Sequence, residues 1–166
     1  MKLSYSTRGW DGLPWETMLR LAEELHFRGI ELYNLKKWRT LYEAGGPFHA
    51  DRVAATVRRV RDSRLELPCL DTCLELDREE NVAELEWLFE MASAMHVPYV
   101  SAVVYREDTE EAVNQAISRL LIAAKKNHAA LLIKTSGIYA DTARLRNLLI
   151  SFSDDSLGVL WDMHHP

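Results

Sequence analysis

The chain has 166 residues, of which 48% are apolar and 27% charged, and its 20 Lys and Arg against 25 Asp and Glu give a net charge of −5. This composition predicts one folded domain over residues 1–166 and excludes a disordered chain. The acidic balance argues against a nucleic-acid partner, because phosphate binding normally requires clustered Lys and Arg. No apolar run approaches the roughly 20 residues that span a bilayer. No leader segment opens the chain either, so we expect a cytoplasmic protein without a membrane partner.

In the first half of the chain, short β-type segments alternate with longer helical ones whose apolar residues recur at helical spacing. The predicted strands cover residues 2–7, 30–33 and 66–70, and the predicted helices run from Pro14 to about His26 and from an N-cap at Asp51 through Val60. We expect Gly29 to end the turn between the first predicted helix and the second predicted strand.

The second half repeats this alternation. Strands are predicted over residues 99–104, 130–133 and 157–161, and helices from Val82 to about His96, from a cap at Asp108 or Thr109 through Ala124, and from Asp141 to about Ser151. His26, His49, His96 and His128 fall on helices, at their ends or in loops, and we expect them to be structural.

The predicted strands begin roughly 30 residues apart, which is the length of one βα unit. The later strands are continuous apolar runs, as in a parallel sheet covered by helices. After the first strand the chain reads Arg8-Gly9-Trp10-Asp11-Gly12, which lacks the glycine pattern of a dinucleotide-binding sheet. A closed barrel takes eight units and about 250 residues. We therefore predict an α/β fold of the (β/α) TIM-barrel type, with parallel strands, incomplete at about six units and lacking the last two at its C-terminal end.

The two cysteines, Cys69 and Cys73, lie four positions apart in a segment predicted to be extended. Their Cα atoms would be roughly 13 Å apart, which is too far for a disulfide. We expect two free thiols.

Polar side chains gather where the predicted strands run into the following loops, which is where parallel α/β proteins place functional residues. They are Arg8, Trp10, Glu31, Asn34, Asp71, Thr72, Glu75, Tyr105, Arg106, Glu107, Lys134, Thr135, Ser136, Asp162, His164 and His165. The group Asp162, His164 and His165 supplies oxygen and nitrogen donors suited to a divalent metal or a polar substrate. The alternative is that Asp162 caps a following helix and the two histidines are solvated.

Four segments of the chain resemble the xylose isomerase-like TIM barrels, a family of sugar isomerases, sugar 3-epimerases, inositol-catabolic dehydratases and, more distantly, metal-dependent apurinic-site endonucleases. They are Ser4-Tyr5-Ser6-Thr7, Gly29-Ile30-Glu31-Leu32, Leu131-Leu132-Ile133-Lys134-Thr135-Ser136-Gly137 and Gly158-Val159-Leu160-Trp161-Asp162-Met163-His164-His165-Pro166. The resemblance implies a sugar or sugar-phosphate isomerase or epimerase that uses Mn²⁺, Mg²⁺ or Zn²⁺ and moves a proton through an enediolate.

The resemblance also implies roles for particular residues. In this family the ion is held by a Glu ending strand five, an Asp ending strand six, a His on strand seven and a Glu on strand eight. Carried over to this sequence, Asp162 becomes a metal ligand and His165 a substrate contact. His164, Glu31 and Trp10 are the further candidates for the carbohydrate-binding pocket.

Lys134 departs from the family pattern, because it stands where the strand-five Glu is expected. An ammonium group cannot ligate a divalent ion and repels one, so metal binding by this chain should be poor or absent. Three readings of Lys134 stay open: an ion pair with Asp162, a loss of function, or lysine chemistry as a base or Schiff base.

Two functions follow as hypotheses. The first is a sugar isomerase or epimerase whose remaining strands come from residues beyond this segment or from a second chain. The alternative is a non-catalytic truncated or degenerate barrel that oligomerises. An open six-stranded sheet leaves unpaired edges and uncovered apolar faces, so we expect a homo-oligomer, or a missing C-terminal part that completes the sheet. The negative charge disfavours a DNA-repair role.

Overall fold

The structure is a computed structural model that describes residues 2–10, 12–107 and 109–162. It comprises two compact units, the first formed by Met1–Asp71 with Ala94–Val97 and the second by Thr72–Ser93 with Pro98–Pro166. The prediction of a single domain over the whole chain stays a prediction.

The first unit alternates strands and helices as the sequence predicts. Its elements are β1 (Ser4–Ser6), α1 (Trp15–Glu24), β2 (Gly29–Tyr33), a 3-10 turn (Leu35–Lys37), α2 (Arg39–Tyr42), α3 (Val53–Asp62) and β3 (Leu70–Asp71). The strand β1 pairs with β2, and β2 with β3, both in parallel. The short helix α2 has no counterpart among the sequence predictions.

The core of the first unit lies between α1 and one face of its strands. Met18 and Leu19 on α1 are fully buried, as are Ile30 and Leu32 on β2. Because successive strand residues point to opposite faces, Glu31 and Tyr33 lie on the other, less covered face of β2.

The second unit repeats the alternation with longer helices. Its elements are α4 (Glu79–Met95, of which residues 79–93 belong to this unit), β4 (Tyr99–Ala102), α5 (Glu110–Lys126), β5 (Ala130–Lys134), a 3-10 turn (Gly137–Ala140), α6 (Thr142–Phe152) and β6 (Leu157–Leu160). The strand β4 pairs with β5, and β5 with β6, again in parallel. Leu131 and Ile133 of β5 are fully buried, with Ile117 and Leu120 of α5.

Two of the predicted boundaries are wrong for identifiable reasons. The residue that caps α3 is Arg52, not Asp51, because Asp51 belongs to the preceding turn, in which the amides of Arg52 and Val53 both donate to the His49 carbonyl. The third strand covers only residues 70–71, with an isolated bridge at Glu66, since Pro68 lies between them and has no N–H to donate. The helix predicted to start at Asp141 begins at Thr142, and Asp141 caps it, because its side chain accepts hydrogen bonds from the amides of Ala143 and Arg144.

Three of the four histidines predicted to be structural follow helix ends. His26, His96 and His128 have φ angles of 59°, 55° and 54°, and each comes just after a helix, in an exposed turn that leads toward the next strand. This left-handed conformation is common at the residue that terminates a helix. These histidines therefore lie in the turns that connect a helix to the next strand.

Cys69 and Cys73 are thiols that form no disulfide with each other, as predicted, with Cys69 buried and Cys73 exposed. Among the helices of the described residues, none combines the length and the apolar character that crossing a membrane requires.

Tyr5 anchors β1 to the first helix of its unit. Its hydroxyl donates a hydrogen bond of 2.7 Å to the carbonyl of Met18, and its ring stacks on Trp10 at 4.9 Å between centroids. Its side chain is only 9% exposed, and this burial raises the pKa of Tyr5 from 10.0 to about 12.

The substitution Tyr5→Phe should therefore change the response of stability to alkaline pH. Between pH 10 and about 12 the unfolded chain releases the Tyr5 proton while the folded chain keeps it, so the free energy of unfolding falls as the pH rises. Tyr5→Phe should lose about 1 kcal/mol at neutral pH, through the lost hydrogen bond, and show a shallower alkaline decline. Urea unfolding across this pH range measures both effects. Tyr99→Phe, at an exposed tyrosine, is the control, and an unchanged alkaline slope in Tyr5→Phe would refute the role of burial.

Candidate functional site

Two of the predicted site residues lie at the carboxyl ends of β5 and β6 in the second unit. The pairing sets Lys134 opposite Leu160, the last residue of β6, and Asp162 follows two residues later. The pairing continues past the strand ends, because the Thr135 amide donates to the Leu160 carbonyl at 3.1 Å. The Asp162 amide in turn donates to Oγ1 of Thr135 at 2.9 Å.

Lys134 is buried to an extent that is unusual for a lysine. It is 8% exposed, and the two residues that follow it, Thr135 and Ser136, are buried as well. Burial of an ammonium group is costly unless negative or polar groups surround it. The Oγ atom of Ser136 is buried without a hydrogen-bond partner within the described part of the chain. This end of β5 therefore concentrates one positive charge and polar hydroxyl groups.

The loop after β5 packs directly on the chain that follows β4. The amide of Ile138 donates to the Val104 carbonyl at 3.1 Å. Gly137 permits this approach, because its φ is +62° and an added Cβ would lie 2.1 Å from the Val104 carbonyl oxygen. Tyr139 in the same turn is buried. That burial, together with the charge of Glu110, raises the pKa of Tyr139 above its usual value.

A second group of polar residues lies at the ends of β1 and β2 in the first unit. Glu31 is half-buried and shares its face of β2 with Tyr33. The guanidinium carbon of Arg8 lies 5.1 Å from the centre of the Tyr33 ring, in a cation–π contact. The Trp10 ring instead stacks on Tyr5, which packs on α1. Within this unit Glu31 therefore has Tyr33 and Arg8 on its side, whereas Trp10 lies against the Tyr5 ring.

The remaining predicted residues, His164 and His165, lie outside the described residues. Across residues 2–10, 12–107 and 109–162, no group of three or more His, Cys, Asp or Glu side chains is placed to hold a metal ion. The residues at the end of β5 do not suit a divalent cation either, because Lys134 brings a positive charge where a ligand is expected. The described donor set thus does not fit the metal that the resemblance implies.

Sequence reasoning missed Tyr33 and Ser101. Tyr33 stands two residues after Glu31 in β2, and this spacing, which puts both side chains on one face of the strand, could have identified it. Ser101 on β4 is fully buried: its hydroxyl accepts from the Thr72 amide at 2.9 Å, and its carbonyl accepts from the Thr72 hydroxyl at 2.6 Å. No sequence motif predicts the pairing of Thr72 with Ser101. Their two hydrogen bonds hold the chain after β3 beside β4.

No protein-family model and no curated protein matches the sequence. Solved structures do match the fold. The probable 3-DHS dehydratase AsbF of Bacillus anthracis superposes with a TM-score of 0.79 at 16% identity, and D-psicose 3-epimerase of Clostridium cellulolyticum H10, solved with D-tagatose, with 0.78 at 11%. The IolI protein, solved with a zinc atom, superposes with a TM-score of 0.77 at 14% identity.

These matches cover 99% of this chain but 64% of each of the three other chains. The chain therefore has the fold of the xylose isomerase-like TIM barrels in an incomplete form, with six parallel strands. This confirms the predicted fold class.

The backbone of Gly137 lies too close to the Val104 carbonyl to accommodate a side chain. Gly137→Ala combines a left-handed φ with a backbone clash, so we expect a loss of about 2–5 kcal/mol of unfolding free energy. Gly9→Ala is the matched control, because Gly9 has a φ of +88° but no atom within 4 Å of an added Cβ. It should lose about 1–2 kcal/mol. Urea unfolding measures both, and equal losses would contradict the packing of this loop on Val104.

Proposed function

We propose that this chain is a carbohydrate-binding barrel of the sugar isomerase or epimerase type, built for proton transfer through an enediolate and impaired in metal binding by Lys134. The single observation that carries the proposal is the burial of Lys134 at the carboxyl end of β5, next to the end of β6 that Asp162 follows. The substrate class is a free or phosphorylated sugar, by analogy with the structures of the same fold.

The charge at position 134 supports the proposal that metal binding is impaired. A Glu at position 134 would bring a negative charge and two oxygen ligands beside Asp162, whereas Lys134 brings a positive charge and no ligand atom. The exchange alters the local charge by two units in a site with little solvent. We propose that Lys134 takes the place of the cation and pairs with Asp162 across the two strands.

The second candidate is a non-catalytic barrel that associates with a copy of itself. Within the described residues, β6 pairs with β5 alone, so its other edge carries unpaired backbone groups. Trp161, directly after β6, is 69% exposed. An open strand edge beside an exposed aromatic ring favours pairing with another chain.

Lys134→Glu tests the proposal. Restoring a carboxylate beside Asp162 should raise the affinity for Mn²⁺ by tenfold or more, on the order of 1.4 kcal/mol, measured by titration calorimetry. Epimerisation of ketoses at C3 and aldose–ketose exchange are then assayed with added Mn²⁺. Lys126→Glu, at an exposed position on α5, makes the same change in net charge and should leave Mn²⁺ affinity unchanged.

If Lys134→Glu gains no more affinity than Lys126→Glu, the assignment of position 134 to the metal site is wrong. Light scattering on the same samples then decides the alternative. A stable dimer without metal affinity in either variant supports the non-catalytic barrel.

A further inference from the structure

A cavity of about 500 Å³ lies between α5, α6 and the 3-10 turn that precedes α6, within the second unit. Each of these elements contributes a polar side chain to its lining: Asn114 from α5, Tyr139 from the turn and Asn147 from α6. The volume falls within the range of small-molecule sites, about 300–1,000 Å³. Neither Lys134 nor Asp162 is among the described residues that line this cavity.

Tyr139 is a buried residue whose hydroxyl group is available to a ligand. It is 5% exposed, and its hydroxyl makes no hydrogen bond with another described residue. That hydroxyl is also not one of the unpartnered atoms that the described residues enclose completely. Burial raises the pKa of Tyr139, the charge of Glu110 raises it further, and the charge of Arg144 lowers it. Because Glu110 and Arg144 both line the cavity, the hydroxyl lies on the side of the ring that faces it.

Two carboxamide groups add neutral donors and acceptors to the lining. The side chains of Asn114 and Asn147 make no hydrogen bond within the part of the chain that the structure describes. Asn114 is half-buried and Asn147 is exposed, so both groups can be reached from the cavity. Each carboxamide offers two N–H donors and one carbonyl acceptor, and the phenol of Tyr139 both donates and accepts. The lining therefore presents several neutral polar groups that are not engaged elsewhere.

The charged groups around the cavity are already compensated. Nη1 of Arg144 donates to the Glu107 carboxylate at 3.3 Å, and its Nε lies 3.7 Å from Oδ2 of Asp141. Glu110 is exposed in the first turn of α5, where the helix dipole favours a negative charge. A ligand therefore needs no net charge to bind here.

We propose that this cavity binds a neutral ring of pyranose size that carries several hydroxyl groups. Each hydroxyl of such a ring both donates and accepts hydrogen bonds, which matches the groups of Tyr139, Asn114 and Asn147. Val113 and Leu148 supply apolar surface for the C–H face of the ring. The inference does not depend on the proposed sugar isomerase chemistry, since it uses none of the residues assigned to the ends of β5 and β6.

An NMR titration of the full chain with methyl β-D-glucopyranoside tests the proposal. This glycoside cannot open to a carbonyl form, so it is not a substrate for proton transfer through an enediolate. The wild-type protein should show saturable shifts of its amide resonances. Tyr139→Phe removes only the hydroxyl and should bind the probe about threefold to tenfold more weakly. Tyr99→Phe, at an exposed tyrosine on β4, is the matched control and should bind as the wild type does.

A second variant keeps the test independent of the buried tyrosine. Asn147→Ala, at an exposed position on α6, should fold normally and weaken binding by a similar factor. Its control is Gln115→Ala, which removes an exposed carboxamide on α5 that does not line this cavity and should leave binding unchanged. Far-ultraviolet circular dichroism establishes that each variant is folded.

Four results would overturn the proposal. The first is the absence of saturable binding by the wild type, and the second is an unchanged affinity in a folded Tyr139→Phe or Asn147→Ala variant. Equal affinity for cyclohexanol is the third, because an apolar ring with one hydroxyl would then suffice. The fourth is loss of binding in Lys134→Glu, because the probe would then lie at the end of β5.

Discussion

The parallel pairing of β5 with β6 decides which side chains meet at the carboxyl edge of the second unit. Lys134 lies opposite Leu160 at the end of β6, and under the proposed function Asp162, two residues later, shares the side of Lys134. A shift of one residue in this register would send one of the two side chains to the opposite face. The Thr135 hydroxyl strengthens the register by accepting from the Asp162 amide. The chemistry of the site therefore rests on backbone hydrogen bonds.

At this position, the charge of residue 134 decides whether the end of β5 attracts or repels a cation. At the end of β5 a carboxylate and Asp162 together would attract a cation, whereas the buried ammonium of Lys134 repels one. A buried charge also needs a partner of opposite sign, because desolvation is otherwise not offset. Under the proposed function, Lys134 accounts both for weakened metal binding and for a counter-charge at Asp162. The fold itself is the barrel fold that the solved structures share.

The sequence predicts the alternation of strands and helices well, but it predicts the surroundings of individual charged residues poorly. Strand positions follow from apolar runs at regular spacing, and all six predicted strands overlap strands of the structure or their flanking bridges. Local details escape this reasoning, as at Asp51, which lies in the turn before α3, one residue ahead of the residue that caps the helix. The burial of Asp77, whose side chain is 3% exposed, also escapes it, because the residue stands in the charged run Asp77-Arg78-Glu79-Glu80.

A double-mutant cycle of Lys134→Met and Asp162→Asn tests the central claim most directly. If the two charges pair across β5 and β6, the unfolding free energies of the single and double variants should reveal a coupling of about 1 kcal/mol or more. A second cycle that combines Lys134→Met with Glu90→Gln, on the exposed surface of α4, should be additive. Additivity within about 0.3 kcal/mol in the Lys134–Asp162 cycle would contradict the account, because the ammonium would then find its compensation elsewhere.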